Sequence, residues 1–408
     1  MSELVVLNVA LSGQHLGTLT RLPGDQTLFV FDQDYVADPD RFTLSLSFKD
    51  VAGGLITDLR PTRTRVPPFF SNLLPEGPLR EYLARRAGIN PRREFFLLWA
   101  LGCDLPGAVA IAPAEGEPGL PRKETGGTDQ GVLPGTILRF SLAGIQLKFS
   151  AVMEAAGGLT IPAEGVGGAW IVKLPSLKYE GVPENEFAMM ELARAIGIDV
   201  PEVRLVPLRE IAGLPDEVGR MGGMALAVKR FDRVEGGRSV HVEDFAQVFG
   251  VYPERKYERA SYRNIAEVLW AETGESGVVE FTRRLVFNAL IGNADMHLKN
   301  WSLIYPDGKK AALAPGYDFV STVAYLPDTN MALTLGRSKK ITDLSLDQLS
   351  YFSAKARVPL KPVLDAAKET VERFMEAWKI WAQSQRLTPQ LYAPIDGLLR
   401  RIPIVREV

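Results

Sequence analysis

Asp295 and Asn300 share the loop Gly292-Asn-Ala-Asp-Met-His-Leu-Lys-Asn300, and a second aspartate follows in Gly316-Tyr-Asp318-Phe. Asp-x-x-x-x-Asn with a later carboxylate is a donor set suited to phosphoryl transfer. The first aspartate accepts the proton of an attacking hydroxyl. The asparagine and the later aspartate offer hard oxygens to Mg²⁺. This chemistry is mostly positioning plus neutralisation of phosphate charge, so few side chains have to perform it. Two apolar runs, Trp301 to Tyr305 and Ala311 to Pro315, flank Pro306-Asp307-Gly308 and predict a hairpin between the two groups. Against this, Asp-x-x-x-x-Asn is frequent by chance, and a polar cluster between helix and strand is usually a solvated loop.

Lys173 closes the β-branched run Trp170-Ile-Val-Lys, a pattern that can carry a lysine to nucleotide phosphates. Most strand-end lysines are simply solvated. Glu184 and Glu186 open the next predicted helix, where any carboxylate gains from the helix dipole. Glu186, in the first turn and facing the sheet, is the expected partner of Lys173. Ser141-Leu-Ala-Gly144-Ile-Gln-Leu-Lys148 is a glycine turn between predicted strands. It can present N–H groups to phosphates, but an ordinary hairpin has the same pattern. Met224 to Phe231 is an apolar strand running into Lys229-Arg230-Phe231-Asp232-Arg233, where a hinge between two lobes is expected. Hinge backbone would meet an adenine with Phe231 packed nearby; the plainer reading is a surface Asp–Arg pair of little energy. His297 is one of three scattered histidines, so a metal role is weak and a hydrogen bond that orients the loop is expected. Tyr317 and Phe319 flank Asp318 and are expected to pack.

The 408 residues suffice for two or three domains and a sizeable core. Composition is ordinary for a globular chain, with 46% hydrophobic and 24% charged residues. A formal net charge of −2 gives no bulk case for direct nucleic-acid binding. Cys103 is the single cysteine, which excludes an intramolecular disulfide and a cysteine zinc site. Its apolar neighbours predict a buried, inert thiol. The N-terminus lacks a basic start and long apolar core, and no apolar run approaches the ~20 residues of a membrane span. A soluble cytoplasmic protein is expected, with no membrane contact.

Strands are predicted at Leu4 to Leu11, Leu16 to Leu22, Leu28 to Phe31, Phe42 to Phe48 and Gly107 to Pro113, with helices at Pro78 to Ala87 and Pro91 to Leu101. Residues 114–136, rich in Gly, Pro, Glu and Thr, read as a linker. Further strands are predicted at Ile137 to Phe140, Leu147 to Met153, Trp170 to Pro175, Val203 to Leu208 and Met224 to Phe231. A helix is expected at Glu184 to Ile196. Downstream, helices are expected at Val242 to Phe249, Tyr262 to Glu272, Val278 to Leu290, Leu346 to Ala356, Lys361 to Gln383 and Pro389 to Arg400. The layout is α+β: a small β-rich N-terminal module (1–113), a linker (114–136), a sheet-containing N-lobe (137–238) and an all-helical C-lobe (239–408) with the catalytic loop. That is a bilobal, protein-kinase-like arrangement.

Taken in order, Ser141-Leu-Ala-Gly-Ile-Gln-Leu-Lys-Phe, Ile-Val-Lys173-Leu-Pro, Glu184-Asn-Glu186, Arg230-Phe-Asp-Arg, the Asp295–Asn300 loop and Tyr317-Asp318-Phe319 resemble HipA-type serine/threonine kinases, the toxins of bacterial toxin–antitoxin pairs. Phe70-Ser-Asn-Leu-Leu-Pro-Glu-Gly and Leu101-Gly-Cys-Asp-Leu-Pro-Gly-Ala-Val resemble that family's N-terminal module, so the resemblance spans nearly the whole chain. It implies Asp295 as catalytic residue, Asn300 and Asp318 as Mg²⁺ ligands, and Lys173 as the phosphate-contacting lysine. It implies nucleotide contacts from Ser141, Ala143, Gly144, Ile145, Gln146, Lys148, Lys229, Phe231, His297, Lys299 and Tyr317. It also implies autophosphorylation on Ser141, ATP and Mg²⁺ as cofactors, a HipB-like helix-turn-helix antitoxin that alone touches DNA, and a translation component such as an aminoacyl-tRNA synthetase as substrate. Lys229 departs from the family pattern where some relatives carry an acidic residue. Tyr-Asp-Phe without a following glycine gives no ground for Asp-Phe-Gly switching. A catalytically weak co-repressor and a small-molecule kinase on the same scaffold are the alternatives.

Overall fold

The computed structural model describes residues 4–115, 148–153, 159–161, 168–176, 178–214, 222–234, 237–327, 329–384 and 387–408. The linker beyond residue 115, the strand expected at Ile137 to Phe140 and the Ser141 turn lie outside them. Strict alternation at Val5, Leu7, Val9 and Leu11 buries one face of β1 (Val5–Leu11). Ser12 and Gly13 both adopt positive φ, giving the two-residue turn that returns the chain into β2 (Gln14–Leu22). With β3 (Gln26–Phe31), β4 (Thr62–Arg63) and β5 (Val109–Pro113) they form an antiparallel sheet in the order β4-β3-β2-β1-β5. Helices Pro68–Ser71, Gly77–Arg86 and Glu94–Leu101 belong to this region. Phe29, Phe48, Phe69, Phe70 and Leu98 fill its core.

A second sheet holds β6 (Lys148–Met153), β7 (Leu159–Thr160), β8 (Trp170–Lys173), β9 (Val203–Pro207), β10 (Ile211–Ala212) and β11 (Met224–Lys229), in the order β10-β7-β6-β8-β11-β9. The helix Val182–Ala195 packs on it through Met189, Leu192 and Ala193 and ends at Gly197 with φ 88. Downstream, the helix Tyr262–Leu290 breaks at Gly274 (φ 68, ψ −153), so the two helices expected there are its two limbs. Leu360–Gln383 lies against it with a buried stripe of Val363, Ala367, Val371, Phe374 and Trp378.

Several expectations need correction. The C-terminal half is not all helical: β12 (His241–Asp244), β13 (Ser302–Tyr305) and β14 (Ala312–Leu313) form a small antiparallel sheet. β12 comes from the stretch expected to start a helix at Val242. A capping box between Asp244 and Gln247 starts the helix only at Phe245, after the strand. Phe42 to Phe48 is no strand. Its polar backbone and side chains bond across to the C-terminal half: Thr43 N–H donates to Gly308 O at 2.8 Å, and Ser45 Oγ donates to Glu243 at 2.5 Å. It ends in the 3₁₀ turn Leu46–Phe48. The helix expected from Pro91 starts at Glu94. Cys103 is exposed, because it falls on the turn after that helix. Among the described residues no helix is long and apolar enough to cross a membrane.

Candidate active site

β8 runs between β6 and β11, so its last residue, Lys173, is carried to the edge of the sheet core with only 5% of its surface exposed. A lysine buried so deeply needs counter-charges. Its Nζ contacts Glu186 Oε1 and Asp318 Oδ1. Glu186 stands in the second turn rather than the first, because the helix begins at Val182. Asn185, next to it, clasps the segment after Asp318: its Nδ2 donates to Ser321 O, and Ser321 N–H donates to its Oδ1, both at 3.0 Å. Lys148 on β6 brings a second ammonium within 3.6 Å of Asp318 Oδ2.

These charges set one another. Burial disfavours the ionised form of all three groups, but in Lys173 the carboxylates of Asp318 and Glu186 outweigh it and keep the ammonium protonated. Burial also works against the Asp318 carboxylate, yet Lys148 and Lys173 hold its pKa well below the usual range. In Glu186 burial prevails over Lys173, so its pKa is raised. Asp318 adopts φ 57, a left-handed conformation uncommon outside glycine, which marks a constrained position between packed neighbours. Phe319 is buried against Phe287 with centroids 5.1 Å apart. The Tyr317 hydroxyl donates to Lys299 O at 2.9 Å and lies 2.5 Å from Ser302 Oγ.

The loop after the helix Tyr262–Leu290 turns at Gly292 (φ 68) and delivers Asp295 into the same cleft, a space of about 1840 Å³. Asn293 fastens it, with Nδ2 donating to Asn288 Oδ1 at 2.8 Å and to Asp318 O at 3.2 Å. Asn300 Nδ2 donates back to Asp295 O at 3.0 Å and closes the loop. The Asp295 side chain is open to the cleft but surrounded by protein. Loss of bulk water raises its pKa, against the Tyr257 hydroxyl that donates to Oδ1 at 2.8 Å. His297 is buried, its Nδ1 has no hydrogen-bond partner, and burial with nearby Lys256 pushes its pKa down to about 3. The orienting bond expected of it is therefore not made at Nδ1. Its backbone N–H donates to Asp295 O at 2.8 Å instead.

Lys173, Glu186, Asp295, His297, Asn300, Tyr317 and Asp318 thus line one cleft, with Lys148, Lys229, Phe231 and Lys299 at its walls. Lys299 is already engaged, with Nζ 2.8 Å from Asp244 Oδ2 and 2.9 Å from Asn72 O. Lys229 is exposed, 4.0 Å from Glu202 Oε2. The Phe231 ring lies 5.8 Å from that of Tyr317. Ser141, Ala143, Gly144, Ile145 and Gln146 lie outside the described residues. Asn185 and Asn293 lie inside segments that the sequence singles out, but nothing there assigns them a role, and Tyr257 carries no motif signal. The Arg230–Asp232 pair, for which a surface pair is the plainer of two sequence readings beside a hinge, is buried at 7% and 6% exposure and bonded to Asp104 and Gly107.

The donor set suits a hard cation. Asn300 and Asp318 offer oxygens only, and no hydrogen bond occupies Asn300 Oδ1 among the described residues. No group of three or more His, Cys, Asp or Glu side chains able to hold a metal occurs among the described residues.

Comparison with known proteins gives the family. Residues 7–112 match the HipA N-terminal domain and residues 140–378 the HipA-like C-terminal domain. Y4dM of Sinorhizobium fredii, named as a candidate kinase, is 53% identical over 100% of this chain and 99% of its own. The serine/threonine-protein kinase toxin HipA of Shewanella oneidensis is 29% identical over 76% of this chain and 75% of its own. A chain from the solved complex of Shewanella oneidensis HipA, HipB and operator DNA has the same fold, with a TM-score of 0.72 at 23% identity over 98% of this chain and 99% of that one. Both HipA domains match in order, and relatedness to a kinase-named protein runs from end to end: the chain belongs to the HipA family.

Proposed function

We propose that this chain is an ATP- and Mg²⁺-dependent serine/threonine protein kinase and the toxin of a toxin–antitoxin pair. One observation carries the reading: Lys173, Asp295, Asn300 and Asp318, far apart in sequence, line a single cleft. In this reading Lys173, held by Glu186, meets the ATP phosphates. Asp295 accepts the proton of the attacking hydroxyl or orients that hydroxyl. Asn300 and Asp318 would hold Mg²⁺, whose charge offsets that of the phosphates. Asn293 and Asn185 keep the Asp295 loop and the Glu186 helix in register with Asp318.

The partner in this reading is a HipB-like helix-turn-helix antitoxin. Support comes from the Shewanella oneidensis relative, whose solved complex holds HipA, HipB and operator DNA together. A net charge of −2 fits a chain that reaches DNA through a partner. The protein substrate proposed from the family resemblance is an aminoacyl-tRNA synthetase or another translation component. Ser141 is the proposed autophosphorylation site; a phosphate there adds nearly two negative charges beside a site for ATP phosphates and repels them.

Transfer of labelled phosphate from ATP tests the reading. Wild type labels itself or an acceptor, and Asp295→Asn falls on the order of a hundredfold or more. Equal labelling by both removes Asp295 from its role. A MgATP-induced rise in melting temperature that persists in Asp318→Ala speaks equally against the nucleotide site.

A further inference from the structure

Tyr257 lies between the 3₁₀ turn Pro253–Arg255 and the helix Tyr262–Leu290. Its hydroxyl donates to Asp295 Oδ1 at 2.8 Å, within the reach a general base needs of the proton it takes. The ring stands edge-on to His297 with centroids 5.0 Å apart. The backbone beneath it is fixed to the catalytic loop, because Leu298 N–H donates to Lys256 O at 3.2 Å. Lys256 in turn reaches Glu76 Oε2 at 2.9 Å, tying the segment to the N-terminal region. Yet Tyr257 is 43% exposed and lines the cleft, so core packing does not account for where it points.

Resting on the kinase reading above, we propose that Tyr257 occupies the acceptor-hydroxyl subsite: its phenol takes the hydrogen bond on Asp295 that the hydroxyl of a phosphoryl acceptor needs. An incoming serine or threonine must displace it. Water must displace it as well, so Tyr257 restrains hydrolysis of ATP when no acceptor is present. Partial burial and the adjacent carboxylate raise the phenol's pKa, so it stays protonated and remains a donor. The neutral His297 beneath it adds no charge to pull Asp295 away. Tyr257 therefore acts as a specificity residue: only a hydroxyl presented with enough binding energy from the rest of its protein gains the carboxylate.

The test uses the full chain, with Tyr257→Phe and Tyr257→Leu, and MgATP alone as the probe. Release of inorganic phosphate without any protein acceptor is expected to rise on the order of tenfold in both variants, the factor set by one hydrogen bond to a charged group. The dissociation constant for MgATP stays at the wild-type value. With a serine peptide selected on wild type from a peptide array, KM for the peptide falls by a similar factor while kcat changes less. Unchanged or slower phosphate release, in variants that keep the wild-type melting temperature and MgATP binding, overturns the proposal. So does phosphate on Tyr257 of wild type after incubation with MgATP, since the phenol would then be an acceptor. A wild type that neither binds MgATP nor releases phosphate overturns instead the kinase reading on which the proposal rests.

Discussion

Arg230 Nη1 donates to Asp104 Oδ1 at 3.0 Å and so joins the N-terminal region to the exit of β11. The contact belongs to a compact set of four charges. Arg230 also meets Asp232 at 2.9 Å, and Arg233 meets Asp104 at 3.0 Å and Asp232 at 2.8 Å. Gly107 N–H donates to Asp232 Oδ2 at 2.8 Å. Two guanidiniums and two carboxylates balance, which is what permits all four to be buried or nearly so. Phe231 sits inside this set and lines the cleft, so the N-terminal region braces the wall beside it.

Removing one member leaves charge uncompensated. Asp104→Ala strands two guanidiniums on Asp232 alone, and a loss of about 3–5 kcal/mol in urea unfolding is expected. A loss under about 1 kcal/mol is the value of an exposed pair and would show that this network is solvated in solution.

Lys173→Met removes the ammonium shared by Glu186 and Asp318. The expected result is a fall in phosphate transfer on the order of a hundredfold, with a stability cost that depends on pH. Glu186 already has a raised pKa from burial, and without Lys173 it rises further. A carboxyl whose folded pKa exceeds its unfolded value contributes stability that is full below the unfolded pKa and lost as pH rises through the folded one. The variant is therefore destabilised less at pH 5 than at pH 8. Thermal melts at the two pH values check this, and equal losses would remove Glu186 as the group left uncompensated.

Asn300→Ala deletes one of two proposed oxygen ligands while the loop retains its Asn293 anchors. Half-saturation by Mg²⁺ is expected to rise on the order of tenfold or more at fixed ATP, with a fall in melting temperature from the lost Asn300–Asp295 hydrogen bond. An unchanged Mg²⁺ dependence in phosphate-transfer assays would assign the metal to other groups.

The parts most legible in the sequence were those with strong periodicity or fixed spacing. The helix expected at Lys361 to Gln383 is found at Leu360–Gln383 and the strand expected at Trp170 to Pro175 at Trp170–Lys173, and the kinase-type spacing picked out residues that line one cleft. What failed to show was decided by long-range polar contacts. Phe42 to Phe48 alternates like a strand, but Thr43 and Ser45 bond to Gly308 and Glu243 across the molecule, and the chain bends to reach them. Arg230 and Asp232 look like surface charges until Asp104 and Gly107 arrive from the N-terminal region. Tyr257 belongs to no motif, since its importance lies in a contact with Asp295 that only the fold creates.

Glu243 gives a second pH dependence, at the seam between the N-terminal region and the small C-terminal sheet. Its carboxylate is buried and accepts from Ser45 Oγ at 2.5 Å, Tyr305 Oη at 2.5 Å and Leu46 N–H at 3.1 Å. Burial outweighs these donors and pushes its pKa up to about 7, from an ordinary 4.5. Between those values the folded protein holds a proton that the unfolded chain has released. Stability from this group is thus complete below pH 4.5 and falls as pH rises through 7, by about 3 kcal/mol if the whole shift is expressed. Glu243→Gln stays neutral throughout. Its absolute stability is lower, because an amide offers one acceptor where the carboxylate offers two, so the slope is the quantity to compare. Urea unfolding at pH 5, 6, 7 and 8 is expected to show a flatter decline in the variant than in wild type. Parallel slopes would mean that Glu243 stays ionised in the folded protein, its three donors having overcome its burial.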